Sequence, residues 1–324
     1  MDYIYLLLIV ILSFGTALWY FRIADKYDII DKPNERSSHT TITIRGGGVI
    51  FPIAVILYCV FFQPFSYDFT GTVSLVLGLV AISVVSFWDD VSSLPNKVRI
   101  SVHLISVSLL LYSLNAFSLL PWYGIIVAYI LIIGTINAYN FMDGINGITG
   151  LYSLVILLSV LYYNHFISAF TNEHFILTGV IACLVFLFFN FRKKARCFAG
   201  DVGSVSIGYL VLFFILGMII TGELKYVFFL AVYGVDAVLT IFHRLFLRQN
   251  IFQAHRLHFY QILANEQKLP HLTVAIIYAM LQLIINIVII HTKYDFIATG
   301  LIVCLPLAFI YVILKPRLMK QKAT

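Results

Sequence analysis

Asp89 and Asp90 stand side by side in FWDDVSSLPNKVR, residues 87–99, between two apolar runs, 71–87 and 100–114. Adjacent carboxylates at the mouth of a hydrophobic segment repel each other and lose hydration, so the pair calls for a cation. In TINAYNFMDGINGITG, residues 135–150, Asn137, Asn140 and Asp143 recur every three residues, which puts them on one face of a helix. Asn146 continues the series if the helix persists past Gly144. Amides and a carboxylate at a helix end make a polar wall suited to sugar or nucleotide hydroxyls; the alternative is a polar helix–helix interface. RKKARCFAGDVGSVSIGY, residues 192–209, sets four basic residues before Gly200-Asp201-Val202-Gly203-Ser204. Glycines at a helix N-terminus expose backbone N–H groups that can hold phosphate. Asp201 there suits a divalent cation, because Mg²⁺ is typically held by one or two carboxylates plus substrate phosphates; the plainer reading is an N-cap.

Two further segments supply cations. HRLFLRQNIFQAHRLHFYQ, residues 243–261, alternates apolar and cationic residues. His255 and His258 lie three apart, but no third soft ligand stands near. The segment reads as an amphipathic stretch at the interface, with Arg256 and the histidines turned to phosphates, or as a simple surface-lying linker. DKPNERSSHTTITIRGGG, residues 31–48, offers Arg36, His39 and Arg45 to phosphate or a lipid headgroup. Its three glycines form no Walker loop, since no Gly-Lys-Ser/Thr follows. Acids to hold Mg²⁺, bases to hold phosphate and helix ends at a bilayer boundary together suit phosphoryl transfer involving a lipid. That chemistry asks mainly for positioning and charge neutralisation.

Membrane helices must position these groups. The chain has 324 residues, 61% apolar and 11% charged, where soluble domains carry about 25% charge. A water-soluble globule is excluded; an all-α polytopic integral membrane protein is expected. Apolar windows predict about eleven spans, near 3–21, 46–63, 71–88, 99–115, 119–137, 147–163, 174–190, 204–221, 225–242, 272–290 and 296–314. The first has no basic n-region and no small-residue cleavage site, so it reads as a retained helix and not a signal peptide. The four cysteines form no ligand or disulfide pattern. Taking alternate connections as one set gives 22–45, 89–99, 138–146, 191–203, 243–271 and the tail from 315. That set holds all of the 21 basic residues except Lys225 and Lys293. Basic residues favour the cytoplasmic side, so the expected topology is N-terminus outside (periplasmic), C-terminus and all candidate site residues at the cytoplasmic face. Asp236 falls inside a predicted span, and an ionisable residue at membrane depth is a site candidate by default.

Read in order, the motifs DKPNERSSH…RGGG, DDVSSLPNKVR with its downstream arginine, NAYNFMDGINGI, FAGDVGS and QAHRLHFYQ resemble those of the polyprenyl-phosphate N-acetylhexosamine-1-phosphate transferases (glycosyltransferase family 4) over nearly the whole chain. The resemblance implies one transmembrane catalytic domain, 1–324, in a bacterial cytoplasmic membrane. It implies transfer of a sugar-1-phosphate from a UDP-N-acetylhexosamine to undecaprenyl phosphate, with release of UMP. A Mg²⁺ ion, or Mn²⁺, would bridge the donor diphosphate. By motif position Asp201 is the first choice as metal ligand, with Asp89 beside it. Asp89 would activate the lipid phosphate, helped by Asp90, and a covalent aspartyl-phosphate route stays open. Asp143 completes the catalytic acids. Asn137, Asn140 and Asn146 would line the donor site, Phe198 would stack the uracil, and Arg45, Lys97, His255, Arg256 and His258 would hold phosphate or sugar. The resemblance implies the lipid bilayer as surroundings, a homodimer as one assembly and no nucleic-acid partner.

Two departures refine this. Asn146 stands where the family often has a second acid, so a charged ligand is missing there. The last loop reads His-Arg-x-His and not a three-histidine cluster, which points away from a muramoyl-pentapeptide donor. It points toward enzymes that initiate O-antigen, lipopolysaccharide or capsule-type glycans. The competing class is a transporter or flippase for lipid-linked or anionic solutes. It would gather ionisable groups near the midplane, whereas here all but Asp236 fall near one face; a catalytically dead scaffold would not need its four acids.

Overall fold

The computed structural model describes residues 2–32, 42–62, 69–250 and 255–320. Arg36 and His39 lie outside the described residues. The chain is built of helices: α1 Asp2–Lys26, α2 Ile50–Phe62, α3 Phe69–Val91, α4 Asn96–Ser113, the short α5 Ala116–Leu119, α6 Trp122–Met142, α7 Ile148–Phe166, α8 Glu173–Asn190, α9 Gly200–Thr221, α10 Ala231–Phe246, the three-residue α11 Phe259–Gln261, α12 His271–His291 and α13 Phe296–Lys320. Among the described residues nine helical segments are long and apolar enough to cross a membrane, so the chain is an all-α polytopic membrane protein. Side chains such as Ile130, Ile297 and Phe309 stand mostly exposed on the bundle, a cost in water that a lipid environment removes.

Nine of the eleven expected windows meet that length and apolarity, and the other two also hold helices among the described residues. The window at 46–63 holds a 3₁₀ turn, Gly47–Val49, running into α2, an apolar stretch of Gly47–Phe61. The window at 99–115 is α4, which starts earlier, at Asn96, and spends its first turns on Lys97, Arg99 and His103. The span near 225–242 begins as a 3₁₀ segment, Leu224–Leu230, before α10.

Helix α9 is the axis of the bundle. Most of its span is buried, against a minority of the spans of α6 and α13, which present broad faces outward. It packs on α3, α6 and α7, and its apolar residues run all round, as a helix enclosed by others requires. One continuous hydrophobic core links α1 to α13. A two-stranded antiparallel pair, β1 Ile30–Asp31 with β2 Thr43–Ile44, closes the segment between α1 and α2.

Candidate active site

The glycine turn after β2 is where the site is assembled. Ile44 bridges Cys197, and Phe198 N–H donates to Ile44 O at 2.8 Å. Gly47 N–H donates to Phe198 O at 2.8 Å and Gly48 N–H to Ala199 O at 3.0 Å. The backbones of Gly48 and Gly203 touch so closely that a Cβ on either would collide with the other. Gly200 has φ +71°, and a Cβ there would come within 2.5 Å of Asp90 Oδ2. Only glycine satisfies both the left-handed backbone and the approach. The glycines of RGGG and GDVG are therefore two halves of one contact, which delivers Arg45 to the start of α9.

Asp90, at the end of α3, has a fully buried carboxylate. Its Oδ1 accepts from Arg45 Nε at 2.6 Å and from Asp201 N–H at 2.9 Å; its Oδ2 accepts from Val202 N–H at 3.0 Å. It caps α9 from another helix, placing negative charge where the helix dipole is positive. Asp201 is next to it, 3.4 Å from Arg45 Nη2 through Oδ1 and 3.7 Å from Arg99 Nη2 through Oδ2. Arg99 also holds Asp89 Oδ2 at 2.9 Å, while Asp89 Oδ1 accepts from Leu94 N–H at 2.7 Å. Three aspartates are thus interleaved with two guanidiniums, and Asp201 is the most exposed of the three and the most loosely held.

Helix α6 ends against this cluster. Asn140 Oδ1 accepts from Ser204 Oγ at 3.1 Å, and its side chain lies beside Asp201. Asp143 follows the last helical residue as the cap. Burial, with the nearby charges of Asp201 and Asp90 adding to it, pushes its carboxyl up to about 7. Asn137 does not join them: its amide donates to Ile133 O of its own helix at 2.9 Å. Asn146 is buried and donates to Arg192 O and Lys193 O, so it ties the α6–α7 connection to the α8–α9 connection. Asn190 performs a similar service, accepting from Gly147 N–H at 2.6 Å and donating to Cys197 O at 2.8 Å. Phe198 is half-buried at the edge, its backbone held by the glycine turn. Lys97 is exposed on the first turn of α4; Arg99, two residues on, makes the acid contacts that its motif position alone did not assign.

The last loop approaches from the other side. Tyr260 OH donates to Phe141 O at 2.9 Å, and that hydroxyl sits where a Cβ on Gly144 would be. His258 is buried with its ring 6.4 Å from that of Phe141 and 4.9 Å from that of His255. Burial and the neighbouring cationic side chains hold His255 down at about 4, so it is neutral at pH 7. Arg256 lies between them, partly exposed. Among the described residues no three His, Cys, Asp or Glu side chains gather as a metal cluster.

Buried carboxylates and arginines thus converge where several helices of a membrane protein end. The sequence model of glycosyl transferase family 4 matches residues 72–219, which include Asp89, Asp90, Asp143 and Asp201. A probable undecaprenyl-phosphate N-acetylglucosaminyl 1-phosphate transferase of Bacillus subtilis (strain 168) is 28% identical over 202 residues, 59% of this chain and 55% of that protein. The phospho-N-acetylmuramoyl-pentapeptide-transferases of Streptococcus pneumoniae (strain 70585) and Dictyoglomus thermophilum are each 28% identical, over 50% of this chain and 55% of their own length. The chain thus spans about half the length of the curated relatives it matches. Over these stretches the chain is similar to polyprenyl-phosphate hexosamine-1-phosphate transferases.

Proposed function

We propose that this protein transfers an N-acetylhexosamine-1-phosphate from a UDP-sugar to undecaprenyl phosphate, releasing UMP and starting a lipid-linked glycan. The observation that carries the reading is the carboxylate–guanidinium lattice of Asp89, Asp90, Asp201, Arg45 and Arg99 at the ends of α3, α4 and α9. The family match and the named activities of the relatives supply the reaction class.

The parts divide as follows. Asp90 has every oxygen engaged and holds the glycine turn against α9; its role is to fix Arg45 and the Asp201 backbone. Asp201 is available, because both its guanidinium partners stand beyond normal hydrogen-bond length. The donor set fits a divalent cation of the kind that takes one or two carboxylates and leaves its other positions to phosphates; Asp201 would hold it, with Asp89 adjacent. When bound, Mg²⁺ would neutralise the diphosphate of the donor. Arg45 and Arg99, released from Asp201 as phosphate enters, would hold phosphoryl oxygens bidentately. The lipid phosphate is largely ionised near neutrality, its second pKa lying near about 6, so Asp89 serves more to orient it than to remove a proton. Asn140, Asp143 and the His255–His258 loop would bind the nucleotide sugar.

The basic ends of the helices favour the cytoplasmic side for this site. Of the two exceptions to that bias, Lys225 is neutralised by Glu223 at 3.0 Å. The test is release of UMP from a panel of UDP-N-acetylhexosamines by membranes supplied with undecaprenyl phosphate. Asp201→Asn and Asp89→Asn should each abolish release at normal protein level. Full activity in both variants defeats the assignment, and solute uptake without UMP release would favour a transporter.

A further inference from the structure

Asp236 is the ionisable residue that the transfer chemistry leaves unexplained. It lies on α10 within an apolar span and is 4% exposed. A lone carboxylate there would cost several kcal/mol, yet this one is well supplied with donors. Its Oδ1 accepts from Phe259 N–H at 2.8 Å and from Thr240 Oγ1 at 3.2 Å, and stands 3.4 Å from His258 Nδ1. Its Oδ2 accepts from Tyr278 OH at 2.7 Å and from Tyr260 N–H at 3.3 Å. Three of the five contacts come from consecutive residues of the last loop, 258–260. The other two come from α10 itself and from α12.

A second layer stands behind the first. Thr240 Oγ1 also shares a hydrogen with Tyr311 OH at 2.7 Å, and the buried Lys315 reaches Thr240 at 3.5 Å and Tyr311. Helix α13 therefore backs the carboxylate with a cation. This whole anchor lies beyond residue 219, outside the segment that the family model matches.

His258 is 2% exposed, and neither ring nitrogen makes a hydrogen bond of good geometry among the described residues: Nδ1 has the 3.4 Å approach of the Asp236 carboxylate, and Nε2 has no partner. A buried nitrogen left unmade costs about 1–3 kcal/mol, so an arrangement that keeps one open points to a ligand. The ring lies over the end of α6, beside Phe141, with Tyr260 pinning the loop to Phe141 O. A carboxylate at Nδ1 draws the proton to that nitrogen and leaves the lone pair on the other, as carboxylate–histidine pairs do elsewhere.

We propose that Asp236 is a positioning residue, which anchors the last loop and fixes His258 with Nδ1 protonated, so that Nε2 faces the sugar-binding end of α6 as a hydrogen-bond acceptor for a hydroxyl or amide N–H. The inference rests on the transfer reaction for its ligand, but the Asp236–His258 pair can be read without it.

The experiment uses the full-length protein with ¹⁵N-labelled histidine in detergent micelles. The His258 signals, identified by their loss in His258→Gln, should report a protonated Nδ1 and an unprotonated Nε2 in the wild-type chain. Asp236→Asn should shift them toward the other tautomer while the remaining histidines stay in place. A wild-type spectrum with Nε2 protonated overturns the proposal even if Asp236→Asn fails to accumulate. In UMP release, Asp236→Asn and His258→Gln should each raise KM for the UDP-sugar about tenfold with KM for the lipid phosphate unchanged. The double variant should be no worse than the worse single, because both remove one interaction. Multiplying losses, or equal rises in both KM values, would mark a merely structural role and sink the idea. If the wild-type protein releases no UMP from any UDP-sugar, the transfer reading fails, and the spectrum still decides the pairing.

Discussion

Arg45 and Asp90, 45 positions apart in the chain, meet with Nε 2.6 Å from Oδ1, and the same guanidinium reaches Asp201 at 3.4 Å. The arginine thus spans a fully buried carboxylate and a partly exposed one. Arg45→Lys keeps the charge but has no fork to reach both. UMP release should fall at least tenfold in Arg45→Lys with protein level unchanged. Arg45→Ala should also lower stability by about 2 kcal/mol, less than the 3–5 typical of fully buried pairs because Arg45 is a third exposed. Thermal unfolding of the two variants separates these effects; equal stability with Ala would mean that Asp90 does not need the pair.

The close approach of the two glycine segments makes a sharper test of architecture. Gly48→Ala sets a methyl against Gly203, and overpacking of that kind costs typically 1–3 kcal/mol or more. Arg45 would be pushed from the acids, so both folding yield and UMP release should drop. Gly134→Ala, on α6 with open space around it, is the internal control and should leave both unchanged or slightly improved. Similar behaviour of the two variants would refute the glycine contact.

Asp143 carries a pH signature. Its carboxyl is pushed up to about 7 by burial, from an ordinary value near ~4. Between those values the folded chain keeps a proton that the unfolded chain releases. Stability therefore falls as pH rises through that window, and the cost is complete above about 7. Asp143→Asn should unfold at a higher temperature than the wild-type protein at pH 8, with the gap closing toward pH 4. A gap of constant size across the range would assign the gain to something other than charge.

Divalent-cation dependence is expected to run through Asp201. Chelation should stop UMP release and Mg²⁺ restore it. Mg²⁺ with UMP should raise the unfolding temperature of the wild-type protein, by linkage of binding to folding, and should fail to do so in Asp201→Asn. An equal rise in that variant would move the metal elsewhere.

Orientation can be read by labelling. The native cysteines Cys59, Cys183 and Cys197 are buried and Cys304 is partly so. In a cysteine-free background, Lys97→Cys should react with an impermeant maleimide only after cells are opened, and Glu223→Cys should react in intact cells. The reverse pattern would put the site on the outer face.

What could be read from residue types was the set of acids and its convergence at helix ends, because adjacent or helix-terminal carboxylates in an apolar chain announce themselves. What could not be read was helix phase and helix end. Lys97 and Arg99 are two apart, about 200° around α4, so only one faces the acids, and the exposed one was the candidate. The three-residue spacing of Asn137, Asn140 and Asp143 suggested a shared face, but α6 stops at Met142. Asp143 is then a cap, and Asn146 is carried off to brace the neighbouring loop. Asn190 and Tyr260 sit in ordinary-looking apolar surroundings; their work lies in contacts with segments far away in sequence, which a linear pattern does not encode.

The pairing of residues 44–48 with 197–203 has a consequence for biogenesis. When the first eight helices have left the ribosome, Arg45 and Asp90 are already made but the backbone amides that complete their shell are not. The arrival of α9 supplies Asp201, Val202 and Gly203 in a single step. Insertion of that central helix is therefore the event that closes the carboxylate–guanidinium cluster, and chains stalled before it would carry an unsealed polar notch for quality control to find.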